Sequence, residues 1–200
     1  RLSEIMISLL GIPYDASSSF MRGPAQAPEA IRKAIMSPSA NLSIENGMVF
    51  EFGNTVTDLG NVDFQELDFE SEGAGTGRAI ARERITARVS EALKTKRKLL
   101  SMGGDHSITY PIFQALAPNY DRLTIVQFDA HPDLYEDFEG DLYSHACPFA
   151  HILAEFSHVS LIQIGIRTLN QRCRSQAERF GVEIYEMANL PEPGGLRIEG

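Results

Sequence analysis

Two short polar motifs contain the residue types that could bind a metal ion. They are SMGGDHS at residues 101–107 and QFDAHPD at residues 127–133. Each follows an apolar run typical of a buried strand, so their side chains are expected where parallel strands end. The candidate ligands are His106, Asp129, His131 and Asp133. Side chains at positions i, i+2 and i+4 of an extended chain point to one side, so we expect the ligands of the second motif to converge.

The donor set narrows the choice of metal. Two imidazoles and two carboxylates suit Mn²⁺ or Zn²⁺, while the lack of a thiolate partner argues against a structural zinc site. Gly103 and Gly104 allow a sharp turn that brings His106 in from the end of its strand. We interpret Asp105 as a turn or supporting residue. A lone His or Asp at a strand end is usually a hydrogen-bonded polar residue or a helix cap, but four in this pattern favour a metal site.

The elements that must position these residues alternate along the chain. Predicted strands cover residues 5–10, 56–62, 99–102, 123–128, 161–166 and 182–185. Predicted helices cover about 24–36, 76–96, 108–117, 144–156 and 170–180. Short apolar strands that alternate with helices indicate parallel βαβ units, and ligands of such folds bind outside the carboxyl ends of the strands.

Composition and charge limit the remaining possibilities. With 200 residues, 43% of them hydrophobic, the chain fits a single domain over residues 1–200. Its net charge of −9 opposes binding to nucleic acid or an anionic membrane. No apolar run reaches the roughly 18 residues of a membrane span, and we expect a cytoplasmic protein. Cys147 and Cys173 lack metal-site or disulfide-framework spacing and are predicted to be free thiols.

Three motifs in this order resemble one family. GGDHS, DAHPD and YSHACPF are similar to the ureohydrolases, which include arginase, agmatinase and related guanidino-acid hydrolases, and the pattern YSHAC resembles the agmatinase-type members most. The resemblance runs from about Leu10 to Met187. It implies a three-layer α/β/α fold with a mostly parallel sheet, two Mn²⁺ ions in each complete active site, and homo-oligomers that are trimers or hexamers.

The resemblance also implies residue roles. His106, Asp129 and Asp133 would bind one ion, His131 would bind the other, and Asp129 would bridge them. A hydroxide between the metals would attack the guanidinium carbon, and His145 would relay a proton to the leaving amine. His151 and His158 match no motif, and we interpret both as ordinary helix or loop residues.

One departure from the family pattern concerns later ligands. The family supplies a further pair of aspartates from a later strand, whereas this sequence has no aspartate after Asp141. We therefore expect a segment of a longer enzyme that is incomplete at its C-terminus and inactive alone, with residues 191–200 as a linker. A degenerate, non-catalytic paralogue is the alternative.

The segment between the second and third motifs bears on the substrate. Its four carboxylates are Glu136, Asp137, Glu139 and Asp141. By chain connectivity they are expected above the metal site, where they would favour a small cationic guanidino substrate without its own carboxylate. Hydrolysis of agmatine to putrescine and urea is thus the first hypothesis; arginine, guanidino acids and formiminoglutamate are alternatives within the family. A mononuclear zinc deacylase is the rival enzyme class. A Cys147–His145 hydrolase fails because residues i and i+2 of a helix do not face each other.

Overall fold

The computed structural model describes residues 6–43, 45, 47, 49–71 and 74–190. Its contacts divide the chain into two compact units, residues 1–116 and 117–200. A single domain over the whole chain therefore stays a prediction. The linker predicted at 191–200 and the first residue of the predicted first strand lie outside the described residues.

The first unit is a three-stranded parallel sheet with helices. Its elements are β1 (Ile7–Ile12), α1 (Ala27–Ile35), β2 (Val56–Asn61), α2 (Ala74–Leu93), β3 (Lys98–Gly103) and α3 (Thr109–Leu116). The strand order is β2-β1-β3, with β1 in the middle. Because β1 has neighbours on both edges, it is apolar and almost wholly buried, as expected for the central strand of a parallel sheet.

The apolar stripe of α2 forms the core of this unit. Ala81, Ile85 and Val89 recur every four residues and are at most 1% exposed. They pack in one cluster with Leu10 and Ile12 of β1. The amphipathic helix predicted from the sequence is thus confirmed, although it ends at Leu93 and not near residue 96.

The second unit has the same kind of architecture. Its elements are β4 (Leu123–Phe128), α4 (Pro148–Glu155), β5 (Val159–Ile166), α5 (Gln171–Phe180) and β6 (Glu183–Glu186). The order is β4-β5-β6, all parallel, with Gln127 of β4 opposite Gln163 of β5. Gly165 has a φ of 91°, which other residues rarely adopt, and the register of β5 shifts there.

The predicted parallel α/β class is confirmed, and one helix boundary is wrong. The helix predicted from residue 144 begins at Pro148, with Cys147 as its N-cap residue. Proline suits the first helical position because its missing N–H needs no partner there. His145 therefore lies in a turn before α4 and not at a helix start. Among the described residues, no helix combines the length and apolar character needed to cross a bilayer.

Candidate metal centre

In the first unit, a tight backbone approach determines how His106 leaves β3. The amide of Asp105 donates to the carbonyl of Tyr14 at 2.8 Å. A Cβ on Gly104 would lie 2.0 Å from that same carbonyl oxygen, so only glycine fits. The chain therefore turns at the end of β3, as the two glycines predicted.

The carboxylate of Asp105 stabilises this turn. One oxygen accepts hydrogen bonds from the Ser107 amide, at 2.9 Å, and from the Ser107 hydroxyl. The other accepts from the Ser17 amide and the Ser18 hydroxyl, each at 3.1 Å. Asp105 is only 5% exposed and caps the 3-10 turn His106–Ile108. It thus has the turn role predicted for it, and it also fixes the loop after β1.

In the second unit, the other candidate ligands follow β4. One carboxylate oxygen of Asp129 and one of Asp133 lie within 4.8 Å of each other. The Asp129 carboxylate accepts the amide of His131 at 3.0 Å and lies 3.5 Å from its Nδ1. Asp133 has a φ of 46°, so this segment is not the extended chain assumed from the sequence. The two carboxylates nevertheless come together, while the side chain of His131 is 63% exposed.

A buried pair of glutamines supports this ligand segment. Gln163 donates at 2.6 Å both to the side-chain oxygen of Gln127 and to the carbonyl of Pro132. Gln127 in turn donates at 3.1 Å to the Asp129 carboxylate and to the carbonyl of His131. The sequence analysis missed this pair because its members are 36 residues apart in the chain.

The turn that contains His145 is held by a neighbouring histidine. His151 makes a 2.5 Å hydrogen bond with the carbonyl of Leu142, and its ring stacks on Tyr143 with centroids 5.2 Å apart. His151 is therefore a structural support of this turn, which its lack of a motif did not reveal. The catalytic role of His145 stays a prediction.

Arginines of α5 pair with two of the four carboxylates in the acidic segment. Arg179 contacts Glu136 at 3.0 Å, and Arg172 contacts Asp137 at 2.8 Å. The hydrogen bond that Arg172 donates to the Asp137 carboxylate raises the pKa of Arg172. These pairs neutralise half of the negative charge on which the preference for a dicationic substrate was based.

The other two carboxylates belong to a tight turn. Glu139 and Gly140 both have positive φ, and the backbones of Phe138 and Asp141 bond to each other across them at 3.0 and 3.1 Å. Asp141 also accepts from the amide of Tyr143 at 2.8 Å. Glu139 is exposed at the tip of this turn, while Asp141 helps to hold it.

Cys147 is a free, buried thiol, as is Cys173. Burial, with smaller contributions from Asp141, Asp137 and Asp133, raises the pKa of Cys147 to about 12. A thiol with that pKa is protonated at neutral pH and is a poor nucleophile. Because residues 145–147 lie before α4, the helix-spacing reason for rejecting a cysteine hydrolase does not apply, and the rejection now rests on the burial and raised pKa of Cys147.

A parallel α/β architecture with two carboxylates gathered after a strand is that of a metal-binding α/β protein. The chain belongs to the arginase family, whose pattern it matches over residues 5–197. The predicted resemblance to the ureohydrolase family is therefore confirmed, while the closer likeness to agmatinase is not.

Individual relatives agree with this family. The chain is 41% identical to mitochondrial arginase 1 of Oryza sativa subsp. indica over 185 residues, which are 90% of this chain and 52% of the rice protein. It is 31% identical to the N(1)-aminopropylagmatine ureohydrolase of Thermus thermophilus, covering 96% of this chain and 61% of that protein. The solved arginase of Medicago truncatula superimposes with a TM-score of 0.82 at 36% identity, over 92% of this chain and 57% of that one. The chain thus spans little more than half the length of these relatives.

Proposed function

We propose that this chain is part of a metal-dependent ureohydrolase that releases urea from a guanidino substrate. The observation that carries the proposal is the pair of carboxylates, Asp129 and Asp133, held together after β4 in a chain of the arginase family. A protein of this kind needs a concentrated negative charge to retain a divalent ion, and two adjacent carboxylates supply it.

The residues present fit a manganese ion. Ligand oxygens about 2.1 Å from one ion are about 4.2 Å apart when they lie on opposite sides of it, so oxygens within 4.8 Å of each other can reach that distance with an adjustment of about 0.6 Å or less. We assign Asp129, Asp133 and His106 to one Mn²⁺ and His131 to a second. When bound, the two ions supply a water made acidic enough to attack at neutral pH.

Other residues of the chain would act on the substrate. A guanidinium is cationic at any physiological pH, so a region rich in carboxylates attracts it. The departing amine must gain a proton, and an imidazole is the side chain suited to carry one near neutral pH. We assign this role to His145, whose turn is held by the contacts of His151.

Arginine is the substrate that we now place first. The relative with 41% identity is an arginase, whereas the aminopropylagmatine enzyme is 31% identical. The pairing of Glu136 and Asp137 with arginines removes half of the charge that would repel the carboxylate of arginine. Agmatine remains the second candidate because Glu139 and Asp141 keep the turn before α4 acidic.

The experiment is a urea assay on the full-length protein after removal of metal with a chelator. We expect no urea without metal, and urea from arginine at a higher kcat/KM than from agmatine once Mn²⁺ is restored. Zn²⁺-dependent deacylation without urea would overturn the proposal in favour of the zinc deacylase. Turnover of neither of these two substrates, nor of guanidino acids or formiminoglutamate, would favour the non-catalytic paralogue.

Two further assignments complete the proposal. The implied assembly is a homo-oligomer, a trimer or hexamer, which the mass of the particle in solution would test. We retain the cytoplasm as the predicted location, although the rice relative is named as mitochondrial. Fractionation of the source cells would separate the two compartments.

A further inference from the structure

The buried side chains of Gln127 on β4 and Gln163 on β5 donate most of their hydrogen bonds to residues 129–132, the segment that contains the proposed metal ligands. Gln127 and Gln163 are 6% and 0% exposed. Together their two amide nitrogens make four hydrogen bonds, three of which end on residues 129–132. Buried polar groups are costly unless they are hydrogen-bonded, so such a directed arrangement needs a reason.

The orientation of the two amide groups leaves one buried polar atom without a hydrogen bond among the described residues. Both N–H groups of Gln163 are used on Pro132 and Gln127, and its buried side-chain oxygen finds no partner among the described residues. A pair that only filled the core would be replaced without loss by apolar side chains. Here the side-chain oxygen of Gln163 is left unmatched while every side-chain N–H group of the pair is used. The hydrogen bonds run from Gln163 to Gln127 and from Gln127 to a carboxylate.

The carboxylate that accepts the hydrogen bond of Gln127 belongs to Asp129. Its carboxylate is held on one oxygen by the amide of His131 at 3.0 Å and on the other by Gln127 at 3.1 Å. Two donors on opposite oxygens fix the plane of a carboxylate. Since Gln163 and Gln127 also hold the carbonyls of Pro132 and His131, the backbone between Asp129 and Asp133 is held by the same two side chains.

We propose that Gln127, supported by Gln163, is a positioning residue that orients the Asp129 carboxylate and sets its distance from Asp133 for metal binding. This inference rests on the proposed metal site. Amide donors that orient a ligand lower the cost of arranging it when the ion binds, and their loss typically weakens metal binding about 10- to 100-fold.

The test replaces each glutamine with methionine, which keeps the side-chain length and removes the hydrogen bonds. Manganese affinity of the full-length protein is measured by titration, with free Mn²⁺ followed by its electron paramagnetic resonance signal. We expect Gln127→Met to weaken affinity about 10- to 100-fold and Gln163→Met to weaken it less, because only Gln127 touches Asp129. Gln127→His, which keeps a nitrogen donor, should recover part of the loss.

The matched control lies on the same two strands. Thr124 and Ser160 face each other across β4 and β5 with their hydroxyl oxygens 3.0 Å apart, so Thr124→Val removes a cross-strand hydrogen bond away from the ligands. It should leave manganese affinity unchanged. A purely structural role for the glutamines predicts instead that affinity losses follow the loss of melting temperature, with Gln163→Met at least as severe as Gln127→Met.

The outcomes separate this inference from the proposed function. If the wild-type protein binds no Mn²⁺, the proposed metal site itself fails. If the wild type binds Mn²⁺ and Gln127→Met binds it equally well, the metal site stands and the positioning role is refuted.

Discussion

Replacing Asp105 with alanine should destabilise the first unit strongly. Its carboxylate, 5% exposed, accepts from two backbone amides, those of Ser17 and Ser107, and from two hydroxyls. The hydroxyls can rotate towards other acceptors, but the two amides cannot. Each buried amide left without a partner costs about 1–3 kcal/mol, which already includes the lost cap of the 3-10 turn. The expected loss is about 3–5 kcal/mol in the free energy of unfolding, since neighbouring effects are not fully additive.

The assay is urea denaturation followed by circular dichroism, with Asp63→Ala as the matched control. Asp63 also accepts a backbone amide, that of Gln65 at 2.8 Å, but it is exposed. Water can therefore replace the carboxylate there, and the control should lose less than about 1 kcal/mol. The loss of stability in Asp105→Asn should fall between those of the two alanine variants. Its side-chain NH2 group replaces one carboxylate oxygen and cannot accept the hydrogen bonds that this oxygen accepted.

The reasoning would be refuted by an Asp105→Ala protein that loses no more stability than the Asp63→Ala control. Such a result would mean that the loop after β1 and the turn before His106 find other hydrogen-bond partners at no cost.

Three further predictions concern thiol chemistry, acid stability and substrate choice. Cys147, with its pKa raised to about 12 from 9.0, should be alkylated by iodoacetamide at pH 8 roughly 1,000-fold more slowly than in urea; equal rates by mass spectrometry would contradict this. Arg32 lowers the pKa of Asp58 through a 2.7 Å hydrogen bond, so Arg32→Met should cost about 1–2 kcal/mol at pH 7. A lowered pKa contributes its full stability above the unfolded value of about 3.9 and loses it as the pH falls through the lower folded value, so the Asp58 share of the cost should fade below about pH 4; a constant cost in denaturation from pH 7 to 3 would be evidence against the pair. Arg172→Met exposes the charge of Asp137 and should shift the ratio of kcat/KM for agmatine over arginine upward about twofold, while an unchanged ratio would show that this charge does not reach the substrate.

Local patterns in the sequence predicted most of the elements. The apolar runs located all six strands, each to within about two residues at both ends, and the four-residue spacing of Ile85 and Val89 located α2. Such patterns arise because each element must bury one face, and this requirement determines the spacing of apolar residues that are close together in the sequence. The boundary of α4 was missed because the weight of Pro148 as a first helical residue was not recognised.

Long-range partners could not be predicted in the same way. The bond from Gln163 to Gln127 and the pairing of Arg179 with Glu136 join residues 36 or more positions apart. The order of the strands likewise depends on residues that are distant in the chain. Nothing in the local sequence specifies which distant residue forms a hydrogen bond with a buried amide or an ion pair with an exposed carboxylate. For this reason the sequence predicts the motif residues but not the residues that hold them in place. It also predicts four unpaired carboxylates in the acidic segment, whereas two of them pair with arginines.

The most direct test of the metal site is the substitution Asp133→Asn. Asparagine keeps the size of the side chain and tolerates the left-handed backbone of this position, where φ is 46°, so the change removes the charge and little else. Asp121→Asn, at an exposed position just before β4, is the matched control.

Bound manganese and urea production are measured on the same samples of the full-length protein. The proposed centre predicts that Asp133→Asn loses both together, while Asp121→Asn keeps both. Wild-type manganese content and urea release in Asp133→Asn would contradict it.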